Sequence, residues 1–344
     1  MNPRLLQWLC CPACGGDLTL VTPPHRAPET DGMLRCGCGS SYEIGGGIPR
    51  FLAMECGVPT GMAPDRFLRA QRLTQKSFGT QWRYFSKMDP AFHEDLFRYM
   101  GPLDRTFFEG KLGLDAGCGF GRHAYHASQL GAEMVAVDFS QAIESASRNL
   151  RELPNVHVAQ ANLYRLPFRP GTFDFIYSLG VLHHLPDPEL AFRILVPLLK
   201  PGGTIIIWVY SNTRRWINRA LELARRVTTR LPAPVVRVIS LVAGAVDYGG
   251  FVVPYTVLRS VPRIGPRVER IAWKRVKLYS RYPFHVTWAD WFDRLAAPSR
   301  VYYDGPTLQQ WLATTRLTNT HVSPTEAYGW RADGQAPLDH HAGP

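Results

Sequence analysis

Leu112-Gly113-Leu114-Asp115-Ala116-Gly117-Cys118-Gly119-Phe120-Gly121 is the stretch that decides the fold of this chain of 344 residues. Its apolar run ends at Asp115, and three glycines spaced two residues apart follow. Glycines let the backbone turn sharply and approach a ligand closely, and the helix that comes next begins with unpaired N–H groups. The stretch therefore predicts a strand, a tight turn and a helix, with a nucleotide-type ligand held at the turn.

The spacing within the turn indicates which ligand it holds. Dinucleotide-binding folds favour G-x-G-x-x-G, with the pyrophosphate on the helix N-terminus. Here Asp115 leads Gly117, Gly119 and Gly121. The acid repels a pyrophosphate but suits a ligand that carries an ammonium group, as the amino-acid part of S-adenosylmethionine does. We expect these four residues to bind that cofactor; a nicotinamide cofactor or a purely structural turn would also fit the pattern.

The residues after the turn continue the same pattern. Residues 122–130 suit a helix that ends at Gly131, and residues 133–137 suit a second buried strand that ends at Asp138. An acid at that position accepts hydrogen bonds from ribose hydroxyls, and Phe139 beside it is expected against the adenine. The alternative is a solvated loop aspartate.

From Leu112 to about Tyr210 the chain resembles the class I S-adenosylmethionine-dependent methyltransferases. Residues 156–163 and the Leu166-Pro167-Phe168 that follows resemble the third strand and adenine loop of that family. The resemblance implies adenine contacts from Asn162 and Leu163. The family usually has an aspartate in place of Asn162, and an asparagine can accept the adenine amine only through its carbonyl oxygen.

Residues 172–185 resemble the fourth strand of the family, whose end faces the reacting methyl group. The resemblance implies that Ser178 lies at the cofactor and that the substrate lies near the end of this strand. His183 and His184 follow the strand, where a histidine can take the proton of an acceptor hydroxyl. Because this doublet also occurs in relatives with unlike substrates, a purely structural role in the loop is the alternative.

The resemblance implies an α/β fold, with a doubly wound, mostly parallel, seven-stranded Rossmann-like sheet. The best candidates for the last strands are residues 319–323 and 326–330. Aromatic residues at 78–85 are expected to cap the cofactor, or else to be ordinary core. The predicted organisation is a zinc-ribbon-like module at 1–56, a helical linker and cofactor cap at 57–110, the cofactor-binding core at 111–210, a basic helical insert or lid at 211–287, the C-terminal completion of the sheet at 288–330 and a polar tail at 331–344.

Six of the seven cysteines fall within the first 56 residues. Cys11-Pro12-Ala13-Cys14 resembles a zinc knuckle, and Cys36 with Cys38 would complete a closed four-sulfur site for structural zinc. Their spacing lacks one residue of the usual C-x-x-C, so Cys10 or His25 is an alternative ligand. The same cysteines would also suit a metal-free ribbon or a disulfide. The segment resembles a small module ahead of some bacterial methyltransferases, where it docks or stabilises.

Positive charge is concentrated in one region of the chain. Residues 211–281 contain fifteen Arg or Lys and three acids, a net charge of +12, while the whole chain carries +11. The apolar run at 235–246 is expected to be too short and interrupted to span a bilayer. The region is therefore a lid with a solvated basic face, a lid that touches an anionic membrane surface or a lipid-like substrate, or a nucleic-acid surface.

Three functions remain open at this point. The favoured one is methyl transfer to a small-molecule or lipid-like acceptor by in-line displacement. The alternatives are a ribosomal RNA methyltransferase and a non-catalytic cofactor-binding partner protein. The N-terminus carries no secretory signal, so we expect a cytoplasmic protein, in peripheral contact with the membrane if the insert binds lipid. The sequence leaves the oligomeric state unknown.

Overall fold

The computed structural model describes residues 1–21, 31–52, 62–101, 103–326 and 328–338. Eleven strands form one sheet in the described part of the chain. They are β1 (Leu18–Val21), β2 (Gly32–Cys36), β3 (Ser41–Gly45), β4 (Ile48–Phe51), β5 (Leu112–Ala116), β6 (Glu133–Asp138), β7 (Val156–Ala161), β8 (Phe173–Leu179), β9 (Leu199–Tyr210), β10 (Thr318–Pro324) and β11 (Gly329–Gln335). Their order across the sheet is β1-β2-β3-β4-β7-β6-β5-β8-β9-β11-β10.

Thirteen α-helices accompany the sheet in the same described ranges. They are α1 (Pro64–Tyr84), α2 (Phe92–Met100), α3 (Arg105–Phe108), α4 (Arg122–Gln129), α5 (Ala142–Leu150), α6 (Pro188–Leu195), α7 (Arg215–Thr228), α8 (Ala233–Asp247), α9 (Val253–Arg259), α10 (Gly265–Ile271), α11 (Lys274–Tyr279), α12 (Phe284–Ala296) and α13 (Gly305–Ala313). Short 3-10 turns cover Pro3–Gln7, Leu182–His184 and Val196–Leu198, and a π-helical turn covers Tyr248–Val252.

The seven strands from β7 to β10 form the predicted sheet. Strands β7, β6, β5, β8 and β9 run parallel, and β11 is antiparallel to both β9 and β10. This arrangement confirms the α/β fold with a mostly parallel sheet. The strand count differs from seven, because β4 pairs in parallel with β7 through Arg50 opposite Gln160 and Phe51 opposite Ala161. The N-terminal strands therefore extend the central sheet to eleven.

The two central strands are apolar without alternation because helices cover both of their faces. Leu114 on β5 and Val135 and Val137 on β6 are fully buried. Gly113 admits the neighbouring strand, since a Cβ there would lie 2.2 Å from Cζ of Phe175. On the far side of β8, Asp187 caps α6 by accepting the N–H of Leu190 at 3.0 Å. The carboxyl ends of the parallel strands thus meet at one edge, where the predicted site lies.

The C-terminal end differs from the prediction. Strand β11 begins at Gly329 and continues to Gln335, so the polar tail predicted from Arg331 is wrong for residues 331–335. Backbone pairing with β9 holds this segment, with Ala332 opposite Ile207. Buried Ala332 and Gly334 alternate with polar neighbours, which is the pattern of a half-buried strand.

The apolar run of the insert also differs from the prediction. The π-helical turn joins α8 to α9 in one helix, Ala233–Arg259, of 27 residues. By length and composition alone it is the one helix among the described residues that is long and apolar enough to cross a membrane, and 22% of its apolar window is buried. The expectation that this run is too short and interrupted is wrong, because helical structure passes through Gly249 and Gly250.

Candidate active site and cysteine cluster

The glycine turn connects β5 to α4 and forms the floor of a pocket. Gly117 and Gly119 adopt left-handed φ values of 97° and 56°, which disfavour any side chain. A Cβ at Gly117 would lie 2.5 Å from Cγ2 of Val181, and one at Gly119 would lie 3.2 Å from Nε1 of Trp82. Both glycines line the pocket. Gly121 does not, because it packs α4 against Leu150.

Asp138 fixes the turn to the end of β6. Its carboxylate accepts the Gly119 N–H at 2.9 Å and the Ser140 N–H and hydroxyl at 2.7 Å and 2.6 Å. Burial raises the pKa of this carboxyl. Asp138 and Phe139 both line the pocket, where the sequence predicts the ribose and the adenine.

Asp115 and Ser178 are not part of the pocket surface. Asp115 is 2% exposed and lies beneath the turn, where its Oδ2 accepts the Tyr177 hydroxyl at 3.2 Å. Burial raises the pKa of Asp115 to about 7. The Ser178 hydroxyl donates to the carbonyl of Ala116 at 2.8 Å. Neither side chain therefore reaches a ligand directly, because the strands that carry them turn both side chains into the sheet core.

Asn162 and Leu163 line the pocket beyond the end of β7. The Oδ1 atom of Asn162 accepts the N–H of Tyr164 at 3.1 Å. This is the oxygen that the sequence predicts for the adenine amine. This bond to the backbone stabilises the local turn.

Helix α1 lies across the pocket and supplies side chains that the sequence did not single out. Gln71 is 3% exposed, and neither its amide oxygen nor its nitrogen has a hydrogen-bond partner among the described residues. One turn before it, Phe67 contacts Tyr164 at 5.1 Å between ring centroids; one turn after it, the Gln75 amide donates to the Phe139 carbonyl at 3.0 Å. The unpaired amide of Gln71 lines the same pocket and fits an adenine edge. The spacing of Gln71 and Gln75 by four was the available signal.

The aromatic residues of α1 close the same side of the pocket. Trp82 packs against Phe120 with ring centroids 5.1 Å apart, and Phe78 packs against His184 at 4.7 Å. Both Phe78 and Trp82 line the pocket. Trp82 therefore lies at the glycine turn, whereas Phe85 of the same segment packs in a hydrophobic cluster with Phe292, so the cap stays a prediction.

Helices α11 and α12 form the wall opposite the glycine turn. Asp290 on α12 accepts from Arg294 at 2.7 Å and lies 3.8 Å from Arg275. Burial alone would raise the pKa of Asp290, but these two guanidinium groups hold it below its usual range. The wall also carries Tyr279, and Tyr328 reaches it from the turn before β11. Helices α11 and α12 therefore give the pocket an ionised, hydrogen-bonding end.

The two histidines after β8 occupy different environments. His184 lines the pocket, and its Nδ1 donates to the carbonyl of Ser299 at 2.7 Å. Its Nε2 then keeps a lone pair, 3.8 Å from Oδ1 of Asp293. Burial lowers the pKa of His184 to about 4, so the ring is neutral near pH 7. A hydroxyl hydrogen between Nε2 and the carboxylate would have two acceptors.

His183 points into the core instead. It is fully buried, and both ring nitrogens lack a hydrogen-bond partner within the described ranges. Its ring packs on Tyr210 with centroids 3.9 Å apart. Of the two predicted catalytic histidines, only His184 is in position to meet a substrate.

The N-terminal cysteines form a compact cluster. The sulfurs of Cys11, Cys14, Cys36 and Cys38 lie within 4.8 Å of one another, with Cys14 to Cys36 at 3.4 Å and Cys11 to Cys38 at 3.7 Å. A tetrahedral zinc with Zn–S bonds of about 2.3 Å places its sulfurs about 3.8 Å apart. The donor set fits structural zinc, with no position left for a substrate.

The short Cys36-Gly37-Cys38 spacing does not prevent both sulfurs from joining this cluster. Cys10 is not part of it, and its backbone N–H donates to the carbonyl of Pro167 at 2.9 Å. His25, the other alternative ligand, lies outside the described residues, as does Cys56.

Comparison with known proteins adds the family. A family model described as a methyltransferase domain matches residues 114–207. An uncharacterised protein of Synechococcus sp. is 37% identical over 117 residues, which cover 32% of this chain and 28% of the relative. A ubiquinone biosynthesis O-methyltransferase of Albidiferax ferrireducens is 34% identical over 119 residues, covering 33% of this chain and 46% of the relative. The chain thus spans less than half the length of either relative.

A solved S-adenosylmethionine-dependent methyltransferase from Mesorhizobium loti is 27% identical, with a TM-score of 0.32, and the match covers 36% of this chain and 56% of that one. The family match coincides with the glycine turn, the acid at the end of β6 and the strand that ends at the histidines. The family match and these three features agree with the family and the cofactor that the sequence predicts. Residues 114–207 of this chain therefore match a methyltransferase domain, in agreement with the class I S-adenosylmethionine-dependent family that the sequence predicts.

Proposed function

We propose that the protein transfers a methyl group to an oxygen of a small-molecule or lipid-like acceptor by in-line displacement. The observation that carries this proposal is one pocket lined by the glycine turn, by Asp138 and, at its other end, by His184 and Asp293. When bound, S-adenosylmethionine supplies an activated methyl group on a sulfonium. A relative named as a ubiquinone biosynthesis O-methyltransferase supports an oxygen acceptor and a lipid-like substrate.

The cofactor is assigned to the core side of the pocket. Asp138 would accept the ribose hydroxyls, Gln71 would meet the adenine edge, and the N–H groups beyond Gly119 would face the amino-acid end. Burial of Asp138 beside Phe139 keeps water from competing for these bonds. The glycines exclude side chains from the space that the cofactor fills.

The acceptor is assigned to the end of the pocket that His184 and Asp293 line. The hydroxyl of the acceptor would donate to Nε2 of His184, and its proton would pass to that nitrogen as the oxygen gains the methyl group. Asp293 would stabilise the resulting imidazolium from 3.8 Å. The Tyr210 hydroxyl donates to Asp293 at 2.9 Å and holds the carboxylate in place. Alignment in a site closed by α1 and α12 supplies the rest of the rate enhancement.

The class of acceptor can be tested without knowing its identity. The protein is incubated with cofactor labelled in the methyl group and a bacterial extract separated into lipid, RNA and small-molecule fractions. Label in the lipid or small-molecule fraction supports the proposal. Label in RNA alone would favour a ribosomal RNA methyltransferase, and absence of label despite cofactor binding would favour a non-catalytic partner protein.

The role of His184 is tested with its neighbour as the control. We expect His184→Gln to lower the rate of transfer by about 100-fold or more while cofactor affinity stays unchanged. His183→Phe alters the adjacent buried ring without touching the pocket, so its rate should remain within a fewfold of wild type. Equal losses in the two variants would mean that the doublet is purely structural.

A further inference from the structure

The helix Ala233–Arg259 has one face packed on the protein and one facing outward. Val236, Ser240 and Gly244 are buried against α12, and a Cβ at Gly244 would lie 3.3 Å from Cα of Trp288. The opposite face exposes the aliphatic side chains of Val235, Val238, Ile239, Val242 and Val246. Water therefore meets a continuous apolar strip along this helix.

The charges within the helix do not interrupt this strip. Arg237 turns inward and lies over the rings of Tyr84 and Trp288, at 4.5 Å and 5.1 Å. Asp247 pairs with Arg275 and accepts the indole N–H of Trp291 at 2.8 Å. Both side chains bind the protein body, so the outward face remains apolar.

In the last part of this helix and after it, exposed apolar and basic residues alternate. Trp273 is 67% exposed, and its ring lies 5.8 Å from that of exposed Phe251. Between them the chain exposes the aliphatic residues Val257, Leu258, Val261, Ile264 and Ile271. The same segment exposes the basic residues Arg259, Arg263, Arg267, Arg270 and Lys274.

Few acidic side chains balance the charge of these basic residues. The only acids at 233–274 are Asp247, which is already paired, and Glu269, which contacts Lys277 at 3.7 Å and accepts from Tyr255. Within the described part of the chain, no ion pair is found for Arg263, Arg267 or Arg270. Their charge is available to an external anion.

We infer that residues 233–274, the docking surface, bind an anionic lipid bilayer, with the helix lying on the bilayer and not crossing it. The exposed aliphatic and indole groups would enter the headgroup boundary, and the arginines would bind lipid phosphates. One face of the helix is fixed on α12, which fits a surface position. A nucleic-acid surface would explain the arginines but not the aliphatic strip.

The direct test mixes the full-length protein with sedimenting vesicles. We expect binding to vesicles of phosphatidylglycerol and phosphatidylcholine, weak binding to phosphatidylcholine alone, and release of most protein at high salt. Absence of binding to the anionic vesicles would overturn the proposal. Protein that resists extraction at alkaline pH would indicate a spanning helix and would also overturn it.

Two sets of variants separate charge from apolar contact. Arg263→Gln, Arg267→Gln and Arg270→Gln together should weaken binding to anionic vesicles by roughly 100-fold. The matched control neutralises three exposed arginines of α1 by Arg66→Gln, Arg69→Gln and Arg72→Gln. Equal binding by the two triple variants would contradict the proposed surface.

The apolar part is tested by Phe251→Ser with Trp273→Ser, for which we expect at least about tenfold weaker binding. Leu338→Ser, which changes an 82% exposed leucine elsewhere, is the control. Circular dichroism checks the fold, and quenching of wild-type but not Trp273→Phe fluorescence by brominated lipid tests insertion without a disruptive variant. If structured RNA binds more tightly than vesicles and the serine variant binds both normally, the surface belongs to nucleic acid.

Discussion

The N-terminal module and the basic insert flank the same core but attach to it differently. The module continues the central sheet through β4 and β7, and its Leu5, Leu34 and Phe51 belong to the same hydrophobic core as Leu114 of β5. The insert instead packs through two small clusters, one that joins its Val236 to Phe292 and one that joins its Tyr282 to Phe92 and Phe120. The module thus contributes to the stability of the fold. The insert, in contrast, keeps exposed apolar surface that can contact other molecules.

The polar contacts of the two regions lie in different parts of the molecule. The module is attached by the carbonyl of Pro12, which accepts from Arg165 at 2.8 Å, by the bridge between Leu9 and Phe168, and by the ion pair of Arg50 with Glu144 at 2.6 Å. From the insert, Arg275 and Tyr279 line the pocket, and Arg275 lies 3.8 Å from Asp290 of α12. The module therefore packs with the core of the domain, whereas the insert supplies part of the pocket wall.

The largest effect is expected from removing a cluster sulfur. Cys11→Ser should lose the bound zinc, of which we expect one per chain, and should lower the free energy of unfolding by more than about 3 kcal/mol, because the loss of metal releases strands that pair with the core. Metal analysis and thermal unfolding provide the measurements. Cys10→Ser is the control, since Cys10 lies outside the cluster. A zinc-free wild type of equal stability would contradict the assignment.

The next largest effect is expected on cofactor binding, which we assign to residues outside the module and the insert. Asp138→Ala removes an acceptor of two ribose bonds and the anchor of the Gly119 N–H, so we expect cofactor affinity to fall by about 100-fold or more. Isothermal titration calorimetry measures the affinity. Asp17→Ala, which removes an exposed carboxylate of the module, should leave it unchanged. An unaltered affinity in Asp138→Ala would refute the ribose assignment.

A smaller effect is expected from the pH dependence of stability at Asp115. Its pKa in the folded state is about 7, above the 3.8 of an ordinary aspartate, so its contribution to stability is fully present below pH 3.8 and is lost as pH rises through 7. Asparagine does not titrate. Between pH 5 and pH 8, the free energy of unfolding of Asp115→Asn should therefore rise by on the order of 2 kcal/mol relative to that of wild type. Urea unfolding without cofactor measures it. If the difference in free energy of unfolding between the two proteins stays constant from pH 5 to pH 8, Asp115 is already ionised at pH 5.

The smallest effect tests how independently the insert is attached. Gly244→Val should push α8 away from Trp288 and cost about 1–3 kcal/mol, with faster hydrogen exchange in α8 and α12 but not in β5. Gly249→Ala is the control, because no atom lies within 4 Å of a Cβ at that position. Faster exchange in the core strands as well would show that the insert is coupled to the core as tightly as the module.

The sequence was most informative where local chemistry dictates structure. The glycine turn, the acid that ends β6 and the cysteine spacing each require particular residue types, so β5, β6 and the sulfur cluster could be anticipated. The pairing of β4 with β7 could not, since it joins residues more than 100 positions apart through backbone groups that carry no side-chain pattern. Distant packing also decided that His184 faces the pocket while His183 does not.

Further differences came from patterns that were weak on their own. Arg331 to Gln335 has too few large apolar residues to indicate a strand, although β9 gives it a complete backbone partner. The apolar run at 235–246 looked too short by itself, yet the helix continues beyond it through Gly249 and Gly250 as a π turn. Gln71 offered only its spacing from Gln75, because a buried glutamine near a cofactor differs from a surface glutamine only in its tertiary surroundings.

The pairing of β4 with β7 has a consequence for solubility. Without the module, β7 would present a row of free N–H and C=O groups at the edge of a parallel sheet, which is a template for pairing with another chain. A shortened chain that begins after residue 52 would keep every residue of the pocket yet expose this row. Its first expected defect is self-association during expression, because the cover that β4 gives to Gln160 and Ala161 would be lost.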